Sequence, residues 1–194
     1  VNRIDFSKIL SPIHDISVSV RNKRPDGYLV AINGNSLDIE NYVTKFLNSD
    51  TNFNFPEMKL FLQLQKLQIT KNKYLTDSKS ELLYNGNEII SLTSTGKLND
   101  EGQVIVKIIT KNIKNKYLLI HSKNAGTIAK STGLFEDAEG GDLLLYAMIN
   151  NNSDGPLFTG NVILNNIRLI KVPIFTRLLS LASLSGIVEI LPGE

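Results

Sequence analysis

His14 and His121 are the only imidazoles in the chain, and there is no cysteine. Nucleophilic catalysis would need one of them beside a hydroxyl that it activates. His121 adjoins Ser122, but neighbours in a strand point to opposite faces, and no Gly-x-Ser-x-Gly turn surrounds any serine. Ala129-Lys130-Ser131-Thr132 matches only the end of a phosphate-binding loop. Asn124 and Ala129 stand where its two glycines belong, so the backbone amides cannot wrap a phosphate. Asn150, Asn152, Asp154 and Gly155 keep the spacing of half a calcium loop, yet its twelfth position falls on Asn161 instead of a bidentate glutamate. A polar turn between two strands accounts for the same residues. Glu136, Asp137, Glu139 and Asp142 cluster beside Gly140-Gly141 and read as a solvated loop. Without cysteine there is neither a disulfide framework nor a thiolate zinc site. The residues therefore point away from an enzyme, with no catalytic residue, no metal ligand and no cofactor.

Bulk properties narrow the classes further. The formal net charge of +2 comes from 21 basic against 19 acidic residues, a balance that argues against nucleic acid as partner. With 194 residues, 42% of them hydrophobic, the chain can bury a sizeable core and reads as one domain, residues 1–194. No stretch approaches the roughly 18 apolar residues of a membrane span, and nothing near Val1 has a signal-peptide layout. A start on Val1 and an end on Pro192-Gly193-Glu194 set the expectation of a fragment of a longer protein.

Strands dominate the pattern. Ile16, Val18 and Val20 alternate with polar neighbours, and the Arg24-Pro25-Asp26-Gly27 turn leads into Tyr28, Val30 and Ile32. In residues 57–70, Met58, Leu60, Leu62 and Leu64 share a face before the apolar phase slips to Leu67 and Ile69. Such a slip is the mark of a β-bulge, which bends a strand. A second slip separates Phe158, Val162 and Leu164 from Ile167 and Leu169, across Asn165 and Asn166. Further strands are expected at 80–84, 88–95, 103–111, 116–122 and 142–149, with turns at Asn85-Gly86, Gly96 through Gly102 and Asn150 through Pro156. Short turns predict an antiparallel meander. Three helices interrupt it. Ile39, Tyr42, Val43, Phe46 and Leu47 mark one amphipathic face capped by Asp38, and Asn124 caps a second helix that stops at Gly133. A third starts at Pro173 and runs through Leu191, apolar over more than one stripe. The expected fold is mainly β: a long curved antiparallel sheet, U-shaped, with about three short amphipathic helices.

The second half carries a resemblance. Leu118-Leu119-Ile120-His121-Ser122-Lys123-Asn124-Ala125-Gly126, Gly133-Leu134-Phe135 and Gly140-Gly141-Asp142-Leu143, followed by Gly160 through Ile170 and Val172 through Ile187, resemble the C-terminal region of AsmA-like proteins, the family of YhdP and TamB relatives. Gly34-Asn35-Ser36-Leu37-Asp38 resembles the family's entry to a short helix. Asn124 stands where many members have an acid, and the chain ends before the family's further glycine and aromatic residue. The resemblance implies a Gram-negative envelope protein, anchored in the inner membrane and reaching through the periplasm. It implies an apolar β-groove that carries phospholipid between inner and outer membrane and supports outer-membrane homeostasis. Its partners would be phospholipid acyl chains and other envelope proteins.

Leu60, Leu62, Leu64, Val104, Val106, Ile108, Leu143, Leu145, Val162 and Leu164 are the candidate groove residues, chosen by alternation. Acyl chains need only apolar contact, worth ~25 cal/mol per Å², so no polar constellation is required. The same residues would equally serve to fill a closed core. The other functional reading is a periplasmic scaffold that meets partners through sheet edges or the 173–191 helix and carries no lipid itself.

Overall fold

Alternating segments of this kind expose one apolar face when isolated, and they gain stability by joining into a sheet that can bury it. The computed structural model describes residues 3–23, 27–47, 55–112, 115–131, 133, 137–152 and 155–169. In chain order these form β1 (Arg3–Leu10), β2 (Asp15–Asn22), β3 (Tyr28–Asp38), α1 (Glu40–Leu47), β4 (Met58–Thr70), β5 (Lys73–Tyr84), β6 (Ile89–Leu98) and β7 (Gly102–Asn112). Then follow β8 (Asn115–Ser122), α2 (Ala125–Ser131), β9 (Ala138–Glu139), β10 (Asp142–Asn152), β11 (Gly155–Asn165) and β12 (Arg168–Leu169). Ten of them make one long, open, curved sheet in the order β1-β2-β3-β4-β5-β6-β7-β8-β10-β11, while β9 and β12 form a separate ribbon.

The mainly β expectation holds, with one correction to the strand pairing. The sheet is not wholly antiparallel, because β3 pairs parallel to β4, from Tyr28↔Met58 to Asp38↔Gln68. A parallel pair requires the chain to return the length of the sheet, and α1 lies in that crossover. Its entry is tied to the strands: the Ile39 amide donates to the Gln68 carbonyl at 2.9 Å, and the Glu40 amide to Asp38 Oδ1 at 2.8 Å. Two helices occur among the described residues; the one expected at 173–191 lies outside them.

The first phase slip is real and extends across three strands. On β4, Leu64 is buried, Gln65 and Lys66 are exposed and Leu67 is buried. β5 slips at the facing position, where Asp77 adopts φ +51°. The register with β4 stays continuous, Leu64↔Ser78 and then Lys66↔Thr76. Against β6 it shifts by one residue between Thr76 and Lys79, and against β2 it shifts between Asp15 and Ile16, opposite Asn35. A block of β3–β5 is thus reset as a unit, with a bulge on each flank to absorb the mismatch. Gly96 belongs to this joint rather than to a turn: a Cβ there would stand 2.9 Å from the Thr76 carbonyl oxygen. The actual β6–β7 turn is confined to Asn99, Asp100 and Glu101.

The second slip is not a bulge. β11 ends at Asn165, Asn166 turns the chain at φ +56°, and Arg168–Leu169 leaves the main sheet to pair with β9. β9 supports α2, which Asn124 caps by accepting the Thr127 amide at 3.1 Å. A Cβ on Gly126 would sit 2.6 Å from Glu139 Cα, so only glycine allows this contact.

Candidate functional site

Cross-strand register decides which side chains share a surface, since alternate residues face the same way. Starting from Phe6, successive partners are Val18, Ile32, Leu62, Ser80, Ser94, Val106, Ile120, Leu145 and Val162. This line crosses all ten strands on one face, here called the inner face. A parallel line passes through Ile4, Val20, Val30, Leu60, Leu82, Leu92, Ile108, Leu118, Ala147 and Gly160. Leu64, Val104, Leu143 and Leu164 occupy the neighbouring line toward α2. All ten residues picked out by alternation therefore lie on the inner face, together with Ile4, Phe6, Val18, Ile32, Ile120 and others that alternation alone did not single out.

Burial along this face is graded. Leu64 is 2% exposed, Val104 4%, Ile108 7% and Leu143 8%. Leu60, Leu62, Val106 and Leu145 are half-buried. At the two edges Phe6 on β1 is 51% exposed and Val162 on β11 49%. The buried end is closed by Ala125 and Ile128 of α2, in a cluster with Leu64, Leu67, Leu75, Leu98, Val104 and Leu143. A flat sheet would leave Leu64 uncovered, so the curvature and α2 supply atoms above it.

Small hydroxyl residues occupy the middle of the bend. Ser78, Ser80, Ser94 and Ser122 are buried on the inner face. Ser80 and Ser94 hydrogen-bond through their hydroxyls at 2.8 Å, Ser78 Oγ donates to the Leu64 carbonyl at 3.4 Å, and Ser122 Oγ to the Gln103 carbonyl at 2.7 Å. Satisfied hydroxyls of this size allow the walls to approach without a desolvation penalty. Two lysines also lie on this face. Lys73 is 8% exposed near α2's end of the sheet, and burial pushes its ammonium pKa below the ordinary lysine value. Lys116, at the opposite end, reaches Glu88 at 3.4 Å.

The residues considered for chemistry are dispersed. His14 accepts the Asp38 amide at its Nδ1, 3.3 Å away, next to the entry of α1. His121 lies on the outer face between Ile105 and Leu144, with Ser122 on the inner face, so the two form no dyad. Asn150–Asn152 pair with Leu157, Pro156 and Gly155 as the end of the β10–β11 hairpin. In the acidic cluster, Asp142 pairs with Lys123 at 3.1 Å, and Glu136 lies outside the described residues. Among the described residues no three His, Asp or Glu side chains converge on a metal position. A polar depression of about 420 Å³ lies at the bulge line, bordered by Asn33, Asn35, Gln63, Gln65, Asp77 and Lys79. These side chains alternate with the inner-face residues and belong to the outer face.

The strand missed in sequence is β1, whose only clear signal is Ile4 and Phe6 in alternation before a register shift. The first half of β5 was also hidden, because its inner positions include serines and the Asp77 bulge breaks their period. Comparison with protein-family models, curated proteins and solved structures returned no match.

Proposed function

We propose that this chain is a non-catalytic, AsmA-like envelope segment whose inner face binds phospholipid acyl chains in transit between the two membranes of a Gram-negative cell. The observation that carries the reading is the inner-face line from Phe6 to Val162, apolar on every strand but β5 and β6, where the buried Ser80 and Ser94 stand, and about half exposed at both edges. Apolar surface left open on this scale marks an interaction site. An acyl chain that buries about ten methylenes would gain roughly 8 kcal/mol at ~0.8 kcal/mol each, before the losses of binding. No directional polar partner is needed, which fits a face whose hydroxyls are already satisfied. The parent protein would be anchored in the inner membrane and present this groove to the periplasm.

The test places a photo-crosslinking amino acid at Leu62 or Val106, with Gln63 as the outer-face comparison. Phospholipid adducts at the first two positions and none at Gln63 are the expected result. The scaffold reading draws on β1 and β11, the edge strands of the sheet among the described residues, since an edge strand can add a partner's strand. Protein free of lipid adducts that binds a defined envelope partner through β1 or β11 would favour it and sink the groove.

A further inference from the structure

The outer face divides into two halves of different character. On β4, β5 and β6 two of its lysines are paired, Lys59 Nζ lying 2.6 Å from Glu81 and Lys97 Nζ 2.9 Å from Asp77, while Lys79 is exposed with no ion pair among the described residues. On β7, β8, β10 and β11 the same face becomes apolar and aromatic. Ile109 is 51% exposed, Tyr146 48% and Ile163 48%. Tyr117 stacks on Tyr146 with ring centroids 5.9 Å apart and planes within 14°. Lys111 Nζ stands 5.5 Å from the centroid of Tyr117.

Among the described residues of these strands, the charge left unpaired on the outer face has one sign. β7, β8 and β11 contain no Asp or Glu, and the single acid of β10, Asp142, is taken by Lys123 at 3.1 Å. Lys107 and Lys111 are exposed and have no carboxylate partner among the described residues. Exposed isoleucines, stacked tyrosines and unneutralised lysines on one sheet face form a surface with an apolar body and cationic tips. Tyrosine rings and lysine stems both suit a boundary where one side is apolar and the other wet.

We propose that the outer face of β7, β8, β10 and β11 docks on an anionic lipid bilayer, with Ile109, Tyr146 and Ile163 at headgroup depth and Lys107 and Lys111 on the lipid phosphates. Charge complementarity selects this occupant: among the described residues Lys107 and Lys111 have no carboxylate partner, and the phosphates of an anionic leaflet supply the opposite charge over a wide, flat area. This surface is opposite the inner face, so docking stands whether or not the inner face carries lipid.

The chain has no tryptophan, so Tyr146→Trp gives a single reporter, and Gln63→Trp, exposed on the outer face of β4, three strands from β7, gives its control. Both are titrated with vesicles of phosphatidylcholine alone and of phosphatidylcholine mixed with phosphatidylglycerol. The expected result is a blue shift of Tyr146→Trp with the anionic vesicles only, none for Gln63→Trp, and weakening by salt. In the Tyr146→Trp background, Lys107→Gln and Lys111→Gln should each weaken binding about fivefold. Both lysines are exposed, so neither change threatens the fold. Equal binding to neutral vesicles, equal shifts at both reporters, or indifference to both lysines overturns the proposal. So does a shift without vesicles that grows with protein concentration, which would give the face to a second copy of the chain.

Discussion

Leu64 and Val162 are aliphatic residues on the same face of the same sheet, yet one is 2% exposed and the other 49%. Around Leu64, Ala125 and Ile128 of α2 close the end in a packed core with Leu67, Leu75, Leu98 and Val104. Around Val162, on β11, no further strand flanks the sheet among the described residues. The inner face therefore has two kinds of region. Near α2 it is packed and holds the fold, and toward β1 and β11 it is exposed.

Truncating the core should have the largest effect. Leu64→Ala is expected to cost about 2–5 kcal/mol of unfolding free energy in urea, because it combines lost transfer energy with a cavity that the neighbours only partly fill. Phe6→Ser and Val162→Ser, at the edges, should stay within about 0.5 kcal/mol of the parent. Each should lower capture of a pyrene-labelled phospholipid about fourfold, the loss that follows from removing roughly one methylene's worth of contact, ~0.8 kcal/mol. If Val162→Ser unfolded the protein as readily as Leu64→Ala, the contrast between core and rim would collapse.

The bend offers an intermediate effect. Ser80→Ala leaves the buried Ser94 hydroxyl without its 2.8 Å partner and should cost about 1 kcal/mol. The Ser80→Ala/Ser94→Ala double variant should be less destabilised than the sum of the two singles, since both polar atoms leave together. Additive losses would show that the pair does not act as a unit.

The smallest effect lies on the exposed surface near the β6–β7 turn. Tyr74 donates its hydroxyl to Asp100 at 2.8 Å, and this bond lowers the Asp100 carboxyl pKa below its ordinary 3.8 while raising that of Tyr74. A depressed carboxylate contributes stability above its unfolded value and loses it as pH falls through the folded one. In Tyr74→Phe, the Asp100 titration followed by NMR should move up toward 3.8. An unmoved titration would assign the shift to its other neighbours.

Much of this architecture is legible in single segments. Alternation located β2, β4, β7, β8 and β10, and the step from Leu64 to Leu67 announced the bulge before any neighbour was known. Asp38 and Asn124 marked the entries of α1 and α2 through their capping oxygens. The slip at Asn165 and Asn166 was legible as a break in phase, but alternation cannot distinguish a bulge from a strand that ends and leaves the sheet. The β3–β4 pair was not legible as parallel. The helix between them was evident, yet only the return path of the chain tells whether the next strand runs up or down.

What the amino-acid order alone determined is local: which residues alternate, where the period breaks and which side chains cap. Those properties depend on neighbours a few positions away, within reach of the backbone's own geometry. Only the tertiary structure decided that residues from ten strands share one line, that this line is buried in the middle and open at its edges, and that exposed apolar and aromatic side chains gather with two lysines on one half of the outer face. Each of these depends on register, bending and strand order. They are set by contacts between distant segments, and a leucine carries no sign of whether its neighbour in space is another strand or solvent.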